Sequence, residues 1–207
     1  MVAYGRRTLR DLFDEAPTPH IAHPPDTHHR QFYLATDGSY RPDGGGLGAV
    51  IETRDGERVT RVALPHAAPD NNVAEYRALH LGLDVLATRT PRGASVGILV
   101  DHDDLAASLN AAVLAADDPA GDPIRPVSVP PGVGHHWRGV RARLAGLGDV
   151  RAAAVDGTAN PAHPLANNPQ GYAHVNDRQR QCVLPSPPVA RDEQVPPPSR
   201  ADRNASD

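Results

Sequence analysis

Three carboxylates in this chain occupy positions that suit the chemistry of a divalent cation. Asp37 closes the apolar run "QFYLATD" (31–37), and Asp101 closes a second one, "ASVGILVD" (94–101). Glu75 falls early in "DNNVAEYRALHLGLDVLATR" (70–89). If the two runs are parallel neighbouring strands, both aspartates emerge at the same carboxyl edge, where open α/β sheets bind ligands. Glu75, one turn into a crossover helix, can reach back to that edge. Three hard oxygen ligands suit Mg²⁺ or Mn²⁺ rather than zinc. Without a cation they would repel one another and raise each other's pKa values. Each acid also has a plainer reading: Asp37 as the start of an Asx-turn, Glu75 as a helix-dipole partner, and Asp101 as part of an acidic helix N-terminus with Asp103 and Asp104. The matching contexts of all three favour the metal.

The elements that must carry these acids follow from pattern. "QFYLATD", "LGAVIETR" and "ERVTRVAL" read as an antiparallel meander, with "DG" at 55–56 as a tight hairpin turn. Residues 70–89 read as a helix capped by Asp70 or Asn71, with Val73, Leu79, Leu83 and Leu86 at roughly helical spacing. Strand and helix then alternate. "ASVGILVD" is a strand, "DDLAASLNAAVLAA" a helix, "HHWRGVRARLAGLG" an arginine-bearing helix and "DVRAAAV" a short strand, and "NPAHPLANNPQGYA" is a last helix. Together they predict an α/β fold: a mixed five-stranded sheet with helices on its faces. Residues 1–29 read as a peripheral segment, with a short amphipathic helix in "RRTLRDLFDE" and a proline-broken linker after it. The catalytic unit is expected over 30–176, and a Pro-rich, disordered tail over 177–207.

Composition narrows the function classes. A net charge of −4 argues against a broadly polybasic nucleic-acid binder. All 21 basic residues are arginine, which reads as genomic or salt adaptation, and phosphate contacts must then come from arginine, backbone N–H groups and small polar side chains. The single cysteine, Cys182, rules out an internal disulfide and a thiolate metal cluster. His20, His23, His28 and His29 lack partners at metal-ligand spacing and read as linker. With no apolar run of about 20 residues and no secretory h-region, the expectation is a soluble, cytoplasmic protein, monomeric and without an obligate partner.

"TDGSY" around Asp37, "NNVAEYRALHLGL" around Glu75 and "ILVDHDDLAASL" around Asp101 resemble the three core motifs of the type 1 ribonuclease H family in order, spacing and context. The resemblance covers roughly residues 31–175. It implies a ribonuclease H-like sheet in which strands 1–3 form an antiparallel meander and strands 4–5 are parallel βαβ strands. It also implies metal-dependent cleavage of the RNA strand of RNA–DNA hybrids, leaving 5′-phosphate and 3′-hydroxyl ends. Two divalent ions, Mg²⁺ or Mn²⁺, would take part, with Asp37 bridging both and Glu75 and Asp101 flanking.

The family usually carries a fourth aspartate at the start of the last helix, in a pattern such as N-x-x-A-D-x-L-A. Here "NPAHPLAN" puts His163 in that place, with Ala162, Leu165 and Ala166 matching and the Asn160 spacing one residue short. An imidazole tilts metal preference towards Mn²⁺, or serves as a proton shuttle. Asp156 at the end of the last strand is the rival. Asn71 and Asn72 are helix caps or, by resemblance, contacts to the hybrid's minor groove. Gly38 and Ser39 offer N–H groups to a phosphate or 2′-OH, or form a plain turn. Arg138 and Arg141, with Trp137 and Arg143, grip phosphates of the DNA strand or simply form a solvated face with Trp137 anchored in the core. Two other functions compete: a catalytically inactive nucleic-acid-binding module of the same fold, and a related nuclease acting on other duplexes.

Overall fold

The structure, a computed structural model, describes residues 6–16, 29–117 and 127–176. The expected tail and most of the histidine-bearing linker lie outside these residues. Five strands form one sheet in the order β3-β2-β1-β4-β5. They are β1 (Phe32–Ser39), β2 (Gly45–Thr53), β3 (Arg58–His66), β4 (Val96–Val100) and β5 (Val150–Ala154). β1 pairs antiparallel with β2, with Leu34 opposite Ile51, and parallel with β4, with Leu34 opposite Ile98. β2 and β3 are antiparallel, and β4 and β5 are parallel. The β2–β3 hairpin closes where Gly56, at φ +79, takes a backbone region that side-chain-bearing residues avoid.

The period-2 alternation of the strands sorts their side chains onto two faces. Leu34, Ile51, Val62, Ile98 and Ala152 face one way. There they pack with α2 (Asn71–Arg89), α3 (Asp103–Asp117) and α4 (Gly134–Leu144). Tyr33, Ala35, Val50, Leu99 and Ala153 face the other way and meet α1 (Leu9–Glu15) and α5 (His163–Asn167). α2 starts at an Asp70 cap whose carboxylate accepts the Val73 N–H at 2.8 Å. The cap is therefore Asp70, and Asn71 is already helical.

Two elements depart from expectation. The segment expected to be peripheral supplies α1 to the core: Leu9, Leu12 and Phe13 are buried, and Phe13 meets Tyr33 edge-on with ring centroids 5.6 Å apart. A capping box between Thr8 and Asp11 starts this helix. Buried Glu52 of β2 then holds it, accepting the Leu9 N–H at 2.9 Å and pairing with Arg58 at 3.1 Å and with Arg6. The last helix is also split in two. α5 ends at Asn167, Asn168 leaves helical geometry (φ −138, ψ 59), and a 3₁₀ helix runs over Pro169–Asn176. Proline lacks an N–H and pushes the residue before it out of the α region, which places the break. No helix among the described residues is long and apolar enough to cross a membrane.

Candidate metal centre

Asp37 lies near the end of β1, Asp101 directly follows β4, and His163 opens α5. Because β1 and β4 are parallel neighbours, the two aspartates leave the sheet at one edge. One ligand atom each from Asp37, Asp101 and His163 lie within 4.8 Å of one another. His163 Nδ1 stands 3.3 Å from Asp37 Oδ2. Glu75 lies outside that triplet but close to it: its carboxyl is buried, feels the charges of Asp101 and Asp37, and accepts the Gly38 N–H at 3.2 Å.

Gly38 makes this approach possible. A Cβ there would overlap the Ala74 carbonyl and the Glu75 amide, so only glycine lets β1 touch the second turn of α2. Burial, and then the charges of Asp101 and Asp37, push the Glu75 carboxyl up to about 9. Burial, and then the Asp101 charge, push Asp37 up to about 8. Crowded carboxyls of this kind either keep protons or share a cation. Asp37 Oδ2 is buried and has no hydrogen-bond partner among the described residues. An orphaned carboxylate oxygen beside a second carboxylate and an imidazole nitrogen fits a small divalent cation.

No family model matches the chain, and no curated protein does. Solved structures do. Ribonuclease H1 from the halophilic archaeon Halobacterium salinarum NRC-1 is 23% identical, with a TM-score of 0.51 over 68% of this chain and 98% of that one. LC11-RNase H1, isolated from compost and solved in complex with an RNA/DNA hybrid, is 17% identical, with a TM-score of 0.54 over 72% and 99%. The N-terminal RNase H domain of Rv2228c from Mycobacterium tuberculosis is 19% identical, with a TM-score of 0.51 over 67% and 96%. This chain has the ribonuclease H fold.

On that fold, the candidates for the fourth position separate. Asp156 is exposed, and its Oδ1 accepts the Thr158 N–H at 2.8 Å, so a local turn occupies it. Hydrogen bonds from the Thr158 hydroxyl and amide hold its carboxyl below the ordinary value. His163 is in the cluster. Two residues beside it shape its surroundings, Asn160 of the pattern quoted above and Gly157, which no motif marks. Asn160 is buried, donates to the Thr36 carbonyl at 2.9 Å and accepts the Ala162 N–H at 3.0 Å, which ties the approach to α5 to the residue before Asp37. A Cβ on Gly157 would stand 3.3 Å from Asp101 Oδ2 and 3.8 Å from His163 Nδ1, so this turn forms one wall of the cluster.

The other candidates fall in several places. Gly38 gives its N–H to Glu75, and the buried Ser39 hydroxyl donates to the Ala166 carbonyl at 2.7 Å while accepting the Gly46 N–H at 3.0 Å. These contacts tie β1 to α2, β2 and α5 around the cluster. Asn71 is exposed and Asn72 half-buried in the first turn of α2, one turn before Glu75. Trp137 is buried edge-on against Tyr76, centroids 6.0 Å apart, so it anchors α4 to the core. Arg138 and Arg141 are exposed on α4 beside a groove between α3 and α4, outside the acidic cluster. Arg143 pairs with Asp84 of α2.

Proposed function

We propose that this protein is a metal-dependent endoribonuclease that cleaves the RNA strand of RNA–DNA hybrids, leaving 5′-phosphate and 3′-hydroxyl ends. The observation that carries the proposal is the convergence of Asp37, Asp101 and His163, with Glu75 against them, at the carboxyl edge of the sheet. The hybrid-bound LC11-RNase H1 structure, which shares the fold, supports the choice of substrate.

Asp37, Glu75, Asp101 and His163 would hold Mg²⁺ or Mn²⁺, and the imidazole among the donors favours Mn²⁺. A divalent cation bound there would supply charge for a phosphodiester's reacting oxygens and acidity for a water. The chain's own part is pre-organisation. Gly38 fixes Glu75, Asn160 fixes the residues flanking Asp37 and His163, and burial makes the carboxylates poor hosts for charge until a cation arrives. Asn71 and Asn72 would read the hybrid's minor groove, where the 2′-OH marks RNA. Arg138 and Arg141 would meet the DNA strand's phosphates, with an affinity that falls steeply with salt.

Substrate preference tests this reading. With Mn²⁺, end-labelled hybrid, RNA duplex and DNA duplex of one sequence should show cuts in the RNA of the hybrid alone. The upstream fragments should end in a 3′-hydroxyl that a polymerase can extend. Equal cleavage of the RNA duplex would point to a nuclease of other specificity. Replacement of an acid by His163 is the feature that favours a non-catalytic binding module. Such a module would bind hybrid equally well with a chelator present and would cut nothing.

A further inference from the structure

An imidazole in place of a carboxylate raises a problem that a carboxylate does not. It coordinates through one in-plane lone pair, so its ring must be held at the right rotation, and a neighbour on the same helix is placed to hold it. Asn167 sits four residues after His163, on the same face of α5. Its amide nitrogen lies 3.1 Å from His163 Nδ1, 3.2 Å from Nε2 and 3.1 Å from the His163 carbonyl. Near-equal distances to both ring nitrogens mean that the amide lies over the ring and not in line with either lone pair. The ring is clamped from one face while its Nδ1 edge faces Asp37 Oδ2, 3.3 Å away.

The orientation of the amide is settled by a third residue. Arg41, exposed in the β1–β2 turn, stands 3.1 Å from Asn167 Oδ1 through its Nη2. A guanidinium only donates. The oxygen of Asn167 must therefore face Arg41, and its NH₂ must face the imidazole. An NH₂ over the ring interacts well with a neutral, electron-rich imidazole while leaving its in-plane nitrogens open to other partners.

We propose that Asn167 is the positioning residue for His163, holding the imidazole so that Nδ1 faces Asp37 and Asp101, and that Arg41 acts through Asn167 by fixing the direction of its amide. The inference rests on the metal-centre reading given above, and it adds a device that the aspartate usual at this position would not need. Partners that orient a metal-ligating histidine commonly change affinity by about 10–100-fold when removed.

The test combines Mn²⁺ titration calorimetry with ¹⁵N NMR of the histidine rings in the metal-free protein, and neither depends on nuclease activity. Asn167→Ala should weaken Mn²⁺ binding about tenfold and shift the His163 ring resonances. Arg41→Ala, on an exposed turn, should do both to a smaller extent, and it decides the matter if Asn167→Ala does not fold. In a His163→Ala background, Asn167→Ala should change Mn²⁺ affinity by less than about twofold, because a positioning residue has nothing left to position. An equal loss in both backgrounds would overturn the proposal, as would unchanged affinity and resonances in the single variants. A wild type that binds no Mn²⁺ would defeat the metal centre itself, and the ring resonances would then decide the role of Asn167 separately.

Discussion

Burial and the neighbouring Asp101 charge hold the Glu75 carboxyl at about 9 and that of Asp37 at about 8, so the metal-free cluster keeps protons at neutral pH. In the unfolded chain both groups ionise near pH 4. Between about pH 4 and 9 the native state therefore binds more protons than the unfolded one, and stability of the metal-free protein from this source falls as pH rises. Glu75→Gln removes one of these groups. In EDTA at pH 8 it should stabilise the fold by about 1–3 kcal/mol, with a smaller effect at pH 5, as read by thermal or urea denaturation. Equal effects at the two pH values would show that burial does not hold that proton.

At this scale the acids themselves were legible. Asp37 and Asp101 end apolar runs, and Glu75 sits in the second turn of a capped helix. The inward roles of Gly38 and Ser39 were not legible, because they depend on contacts with Ala74 and Ala166, distant in sequence. Local pattern favoured His163 over Asp156 through the matching Ala162, Leu165 and Ala166, but not the turn in which Asp156 accepts the Thr158 N–H.

Among the elements, α1 buries Leu9, Leu12 and Phe13 out of its seven residues. It covers the β1–β4 side of the sheet opposite α2, and Leu12 is buried there. Leu12→Ala should cost about 2–4 kcal/mol in urea denaturation, whereas a peripheral helix would lose almost nothing. Amphipathic pattern showed the helix, but not its docking, because its partners Tyr33, Leu99 and Glu52 lie in three different strands. The α2–α4 contact carries a pH dependence of opposite sign. His136 of α4 is buried against His80 of α2, ring centroids 5.9 Å apart. Burial first, and then the charges of His135, Arg77, His80 and His66, push His136 down to about 4. The unfolded chain takes up this proton near pH 6.5, so stability from His136 is complete above that value and is lost as pH falls towards 4. His136→Phe should flatten the acid limb of a stability–pH curve recorded in EDTA, where the raised carboxyls of the cluster contribute with the opposite sign and cannot produce that limb. An unchanged acid limb would assign the loss to other groups.

For the whole molecule, the ribonuclease H fold brings β1, β4, α2 and α5 to one sheet edge, and the acids and His163 arrive there from four separate stretches of chain. Strand order was readable because hairpin signals precede strand–helix alternation, which leaves few topologies. The break at Pro169 was not foreseen, although the proline that causes it is plain in the sequence. With a net charge of −4 and arginine as the sole residue among its Lys and Arg positions, any hold on nucleic-acid phosphates should fall steeply with salt. The most direct measurement is cleavage of an end-labelled RNA–DNA hybrid in Mg²⁺ or Mn²⁺ by wild type and by Asp37→Asn, at low and high salt. A metal centre built on Asp37 predicts RNA-strand cuts by the wild type that fall about 10²–10³-fold in the variant, in the range expected when a group stabilising the transition state is lost. Cuts that persist in Asp37→Asn, or none from the wild type under any of these conditions, would contradict it.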